Sequence, residues 1–489
     1  MEGISMLKNK KKLIGILLSS FLLITFYGSV SHNVYAKENI GKISPEYNFK
    51  SNPNIKVQRL GGKDRFETSQ KICEQFAKEH ISNVIIANGN NFPDALTGSV
   101  LSKKLNAPIL LVDKTLNGSK NSIKYIESNL SKDGTIFILG SKDVVEDEFI
   151  SYFNKKGYKN IKRLGGNDRF DTNKIIVDNM KVEKGTPVVI VTGENFPDAL
   201  SVSSVAAIKG YPILMSKKNS LPEIMKDTIK DIQPSKVFLI GSEGVLGDNI
   251  VNEVNNLVPE IQSKNILRLY GEDRYETSLN IFKYFKNELD NKYAVIAIGS
   301  NFPDALSGGA LASKLKAPIL LTDGSNILTQ KKYIDENKIS NMILLGSKFC
   351  IGEGVENILR GKEEHLFYIE GTYEKDRMKY IEGRMDKFIT NVDEALEYQN
   401  ILGSISVPNY NGEYFLEDGG VDTPISDKIK LTVSDSAIIK TLAFDNDGNK
   451  IITKVDFGKF TNNYKNKRPI YRIKIKNGLV TEIEQQYRP

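Results

Sequence analysis

Short, continuously apolar runs alternate with amphipathic stretches along most of the chain. Residues 83–87 form an apolar run bounded by Asn and Gly, and 109–112 and 136–139 read the same way, as buried strands. Between them, Ile72, Phe76 and Ala77 share one face of a helix that Thr68 would cap and that runs to about residue 78. Pro93 suits the first turn of the next helix, where Ala95, Gly98 and Ser99 are small enough for close packing. Helices follow at 122–130 and 146–155, and a strand at 161–164. Strands apolar on both faces need cover on both faces. The alternation with helices therefore predicts an α/β fold with a mostly parallel sheet.

The same pattern returns twice. Arg59-Leu60-Gly61-Gly62-Lys63-Asp64-Arg65-Phe66-Glu67-Thr68 is matched by Arg163-Leu164-Gly165-Gly166-Asn167-Asp168-Arg169-Phe170-Asp171-Thr172 and by Arg268-Leu269-Tyr270-Gly271-Glu272-Asp273-Arg274-Tyr275-Glu276-Thr277. A second motif, Asn-Phe-Pro-Asp-Ala-Leu, begins at Asn91, Asn195 and Asn301. Pro-Ile-Leu follows at Pro108, Pro212 and Pro318, and Gly-Ser at Gly140, Gly241 and Gly346. Landmarks in fixed order, three times over, define tandem modules at 57–157, 158–262 and 263–362. In such sheets the loops leaving the strand C-termini line the ligand crevice, and both long motifs are such loops.

Beyond 362 nothing repeats. Met378, Ile381, Met385, Phe388, Val392 and Leu396 have helical spacing over 375–400. From about 428 the pattern turns to strands, with turns at 445–449 and at Asn477-Gly478, the latter inside a hairpin over 470–487. A small α+β module at 363–489 is expected. The acidic turn at 445–449 misses calcium-loop spacing and reads as a plain turn.

The N-terminus reads as an export signal at 1–36. Lys8, Lys10, Lys11 and Lys12 precede an apolar stretch at 13–30, and Val34-Tyr35-Ala36 provides a cleavage site after Ala36. A linker would fill 37–56. No cysteine near the cut, second apolar run or C-terminal sorting signal is evident, so the exported product is expected to be either released or held non-covalently, without a membrane once the signal is cut. Removing four Lys and one Glu lowers the net charge from +7 to +4, which permits an acidic partner without demanding one. Cys73 and Cys350 lie in different repeats and form no disulfide framework.

Arginine use is the sharpest chemical clue. Between residues 37 and 359 the only arginines are Arg59, Arg65, Arg163, Arg169, Arg268 and Arg274, all within the first motif. A planar fork cannot be exchanged for an ammonium without loss. Two tasks fit. One is an ion pair such as Arg65 with Asp94; the other is an anion clamp on phosphate or carboxylate. Asp94, Asp198 and Asp304 follow Pro at a helix start, where a carboxylate is favoured. Gly62, Gly166 and Gly271 are read as turn positions needing positive φ. Phe92, Phe196 and Phe302 are read as packing residues. His80 and His365 lie outside the motifs, so no His triad or His-rich metal site exists in three copies. No phosphate loop with its lysine is present, and Trp is absent, which disfavours neutral sugars stacked on indole. No catalytic residue, metal or cofactor is expected.

These motifs resemble the clostridial cell-wall-binding repeat of the second type, over residues 57–360. The resemblance implies a Toprim-like, Rossmann-like module and a pseudo-threefold triangle of three such modules. It further implies non-covalent attachment to an anionic wall polysaccharide beside the surface layer, whose proteins are possible partners. The polymer-binding candidates are Arg59, Arg65, Asp94, Arg163, Arg169, Asp198, Arg268, Arg274 and Asp304. Tyr270, where the other copies have Gly61 and Gly165, is expected to narrow one of three sites that act together through effective concentration. The alternative is a wall-modifying enzyme with its catalytic residues in 363–489. Nucleic-acid binding is set aside, because the repeats lack the acidic cluster that Toprim catalysis needs.

Overall fold

The structure, a computed structural model, describes residues 55–486 apart from positions 79 and 427, parts of 390–420, and 445–449, 464–469 and 477–478. The expected export signal, most of the linker and both C-terminal turns lie outside the described residues.

Three sheets of four parallel strands form the body of the molecule. In the first, the spatial order is Ile109–Val112, Ile81–Asn88, Leu130–Leu139, Asn160–Leu164. Alternate side chains face opposite layers, as strand geometry requires. Val84, Ile86, Leu110, Ile136 and Ile138 pack outward on Ile123, Ile126, Phe149 and Phe153. Ile85, Ala87, Ile109, Leu111 and Leu139 pack inward on Leu96, Val100 and Leu101. Burial on both faces is why these runs read as continuously apolar.

Sequence repeat and structural sheet are out of phase by one strand. Asn160–Leu164, which opens the second repeat, completes the first sheet beside Leu130–Leu139. Ile266–Leu269 likewise completes the second sheet beside Val237–Ile240. Lys56–Leu60, the first described strand, completes the third sheet beside Asn341–Leu345. The ring is therefore closed by main-chain hydrogen bonds between the two ends of the repeat array.

Three helices meet along the pseudo-threefold axis: Gly98–Leu105, Pro197–Lys209 and Pro303–Lys314. Small residues permit the approach. A Cβ on Gly309 would lie 2.9 Å from Ser203 Oγ and 3.3 Å from Ser99 Cβ.

The first helix of each module differs from expectation in its cap. It spans Arg65–Phe76, and Asp64, not Thr68, is the N-cap, accepting from the backbone N–H of Phe66 and Glu67. Asp168 and Asp273 repeat this. Thr68 lies inside the helix, where its hydroxyl accepts from Gly62 N at 3.0 Å.

The C-terminal module is a barrel with two flanking strands. Glu364–Lys375, Met378–Ile389, Ile429–Phe444, Leu479–Gln485 and Ile470–Lys476 follow one another around it, and Ile470–Lys476 pairs back with Glu364–Lys375. The expected hairpin over 470–487 is present as two antiparallel strands. The helix expected over 375–400 is replaced in its first half by the strand Met378–Ile389, whereas residues 394–396 and 398–399 are helical. Ile381 and Met385 lie four apart, a spacing that one face of a strand satisfies as well as a helix does, whereas the three-residue step from Met378 to Ile381 crosses to the other face of the strand. Pairing with Glu364–Lys375 on one side and Ile429–Phe444 on the other decides the matter, and at Gly383 a Cβ would collide with the Tyr368 carbonyl. Helical structure in this module includes Phe457–Asn463.

Candidate functional site

The six motif arginines divide into two sets. Arg59, Arg163 and Arg268 hold the exchanged strand to the preceding module. Arg59 donates to Glu356 through Nε (3.1 Å) and Nη2 (2.9 Å), and through Nη1 to the Ser347 carbonyl at 3.0 Å. Arg163 donates to the Gly140 carbonyl at 2.9 Å and to Asp147 at 2.8 Å. Arg268 reaches the carbonyls of Gly241 (3.0 Å) and Leu246 (2.7 Å) and pairs with Asp248 at 3.0 Å. Each fork serves a carbonyl and a carboxylate at once, which a lysine ammonium could not match in plane.

Arg65, Arg169 and Arg274 open the next helix and lie half-buried near the axis. Each donates from Nη1 to the carbonyl of a glycine in its own second loop: Gly89 at 2.8 Å, Gly193 at 2.5 Å, Gly299 at 2.7 Å. Their carboxylate neighbours are in the adjacent module. The carboxylates that feel Arg65, Arg169 and Arg274 are Asp304, Asp94 and Asp198 of the neighbouring module, not the one in the same repeat as expected for Arg65 with Asp94. Ring closure thus sets the electrostatic neighbours between repeats rather than within one.

All three carboxyls are pushed up to about 6, because burial disfavours the charged form more than the neighbouring arginine favours it. The Thr172 hydroxyl beside Asp94 also works against burial there, favouring the charged form. On its other side each carboxylate lies against the Gly of its own Gly-Ser. A Cβ there would come within 2.5 Å of Asp94 Oδ2 at Gly140, 2.6 Å of Asp198 Oδ2 at Gly241 and 2.7 Å of Asp304 Oδ2 at Gly346. These glycines, not Gly62, Gly166 and Gly271, hold positive φ, between 98° and 113°. Gly62 is required for a different reason: a Cβ would meet Glu67 Cβ at 2.5 Å, so the loop can lie directly on the helix start.

The crevice where strand order reverses, between Ile81–Asn88 and Leu130–Leu139, would normally receive a ligand. Here Asp94 and Gly140 border it, and the start of the next module's helix, with Arg169 and Thr172, packs against it. The repeated motif thus supplies its own occupant.

Phe92, Phe196 and Phe302 form a three-membered cluster on the axis, with ring centroids 5.6, 5.7 and 5.6 Å apart. Arg65, Arg169 and Arg274 lie over Phe302, Phe92 and Phe196 at 6.0, 5.9 and 6.0 Å. Asn91, Asn195 and Asn301 stand exposed around them. This face also carries the N-terminal ends of the axial helices, so helix dipoles and guanidinium groups add positive potential against the three aspartates.

Clefts open at the rim, at the junctions between modules. One, of about 930 Å³, lies between the third and first modules and includes Arg59, Gly61, Lys63, Lys71, Lys348 and Arg360 in its walls. Another, of about 590 Å³, lies between the first and second and includes Lys142, Arg163, Gly166 and Asn167. Sequence reasoning missed the rim lysines because they are not repeated. Aligning the three copies and asking where their charges differ would have found them.

Among the described residues, no group of His, Cys, Asp and Glu is arranged to hold a metal ion, and no helix is long and apolar enough to cross a membrane.

A closed ring of three parallel-sheet modules, each locked to the next by the same arginine, aspartate and glycine, defines a repeat protein built as one body. The chain belongs to the cell wall binding domain 2 (CWB2) family, whose model matches residues 59–150, 163–251 and 268–356. Association with the cell wall follows from that membership. The chain is 28% identical over 367 residues to the N-acetylmuramoyl-L-alanine amidase LytC of Bacillus subtilis (strain 168), covering 73% of this chain and 70% of that one. It is 29% identical over 423 residues to the amidase enhancer of the same organism, covering 83% and 54%. Among solved structures it is similar to Cwp6 from Clostridium difficile (TM-score 0.55, 27% identity, 63% of this chain and 47% of that one). It is also similar to Cwp8 from the same organism (TM-score 0.54, 26%, 63% and 52%). The chain thus spans about half the length of those two structures.

Proposed function

We propose that this is an exported surface protein, held non-covalently on the cell wall by an anionic wall polysaccharide and displaying its C-terminal barrel. The observation that carries the reading is the placement of the repeated arginine motifs, in a wall-binding family, on the strand-end face of a single rigid ring. Arg65, Arg169 and Arg274 each engage the protein through one nitrogen, leaving guanidinium edges for an anion. Arg59, Arg163 and Arg268 act as scaffold. Asp94, Asp198 and Asp304 set the potential around the second set rather than touching polymer. No catalysis is assigned to the chain.

The test is sedimentation of the full chain with purified walls before and after chemical removal of the anionic polymer. Binding lost on stripping is expected. Equal binding to both preparations would move the ligand to peptidoglycan.

A second reading draws on the amidase named among the relatives. In it, residues 363–489 modify the wall. Release of soluble fragments from wall material by the full chain, with and without added divalent metal, would decide for it.

A further inference from the structure

The three module junctions occupy equivalent places in the ring, yet their rims carry different charge. Gly61, Gly165 and Tyr270 are one equivalent set of positions. Beside them, Lys63 corresponds to Asn167 and Glu272, Lys71 to Ile175 and Asn280, and Lys348 to Lys142 and Glu243. The junction between the third and first modules therefore has three lysines where the next has one and the last has two glutamates and no lysine.

The large cleft deepens this bias. Its walls hold six basic side chains against three glutamates, whereas the walls of the cleft between the first and second modules hold two basic against two acidic. The glutamates of the large cleft are already engaged. Glu356 takes Arg59 at 2.9 Å and Arg360 at 2.7 Å, Glu67 takes Lys71 at 3.2 Å, and Glu353 takes Lys387 at 3.0 Å. Lys63 and Lys362 form no ion pair among the described residues. Cations in a concave, low-dielectric wall focus the field toward an anionic ligand. At the third junction Tyr270 stands where the other two have glycine, and Glu243 and Glu272 repel an acidic chain.

We infer that the ring does not present three equal sites, and that the cleft between the third and first modules, through Lys63, Lys348 and Lys362, is the main seat for an anionic segment of the wall polymer. The inference rests on the anionic-polymer reading above and names where on the ring it acts. Ring closure is what creates this site, because Lys63 and Lys348 come from opposite ends of the repeat array.

The experiment is a charge exchange in the full chain, read as affinity for intact and for polymer-stripped walls at low and moderate salt. Lys63→Glu with Lys348→Glu gives this cleft the residues of the third junction. Affinity for intact walls should fall about tenfold after screening. Glu243→Lys with Glu272→Lys, at exposed positions, should raise it, with a steeper salt dependence. Unchanged affinity in both variants, while the parent still needs the polymer, would overturn the inference and leave the anionic-polymer reading intact. If the parent binds stripped walls equally well, that reading fails, and this inference with it. Should the first variant unfold, the second alone decides: an increase supports the asymmetric seat, and no change refutes it.

Discussion

The axis and the rim of the ring are built from the same repeat and follow opposite rules. At the axis the joining positions are used three times over. Phe92, Phe196 and Phe302 pack on one another, and each of Asp94, Asp198 and Asp304 lies between its own Gly-Ser and the next module's arginine. At the rim the equivalent positions are lysine, neutral or glutamate. A residue needed to join modules must recur at every junction, since one failed junction opens the ring. A residue that meets solvent is free to differ, and that freedom is where a single binding site can arise from a threefold body. Most repeated positions in this chain therefore serve assembly, and divergence marks which junction is favoured for the ligand.

The strongest way to break the comparison is to open the ring. Deleting 55–60 removes Val57 and Leu60 from the core and Arg59 from Glu356. A loss on the order of 4–6 kcal/mol is expected, concentrated in the third sheet. Hydrogen exchange should show it as lost protection at Asn341–Leu345; unchanged protection there would mean the strand is dispensable. Next is the aromatic cluster. Phe196→Ala should cost about 2–3 kcal/mol and lower the melting temperature, because the half-buried ring contacts both counterparts. A neutral result would make the cluster a surface feature rather than a joint.

Titration sharpens the same contrast. The three aspartate carboxyls are raised from 3.8 to about 6 in the fold. For a raised acid the folded state binds the proton more tightly than the unfolded state. The stabilisation is full below pH 4 and is lost as pH rises through 6. Each carboxyl should contribute on the order of 1–3 kcal/mol over that window. Thermal unfolding measured from pH 4 to 7 should show this decline against the background of other carboxylates, and replacing all three by Asn should remove it. The smallest effect is expected from Arg169→Lys, about 1 kcal/mol, from loss of the bond to the Gly193 carbonyl and weaker pairing with Asp94. If Arg169→Lys abolished wall binding while stability held, the axis would be a ligand contact as well as a joint.

Much of this was legible in the sequence. The four landmarks set the number of modules, the apolar runs set the strands, and exclusive arginine use at six positions marked a geometric task. Those are local or periodic properties, and the chain carries them on its surface. The first half of the helix expected at 375–400 failed because steps of three and four trace a helix face, yet pairing with Glu364–Lys375 and Ile429–Phe444 draws Met378–Ile389 into a strand. The pairing of Arg65 with Asp94 failed for a related reason. Sequence proximity favours the partner within the repeat, but strand exchange places each helix start against its neighbour. Nor could the chain alone say that Lys63 and Lys348 meet. They are brought together by main-chain bonds between Lys56–Leu60 and Asn341–Leu345. Local pattern specifies each module; closure of the ring specifies which modules' residues face each other, because it depends on pairing between segments far apart in the chain.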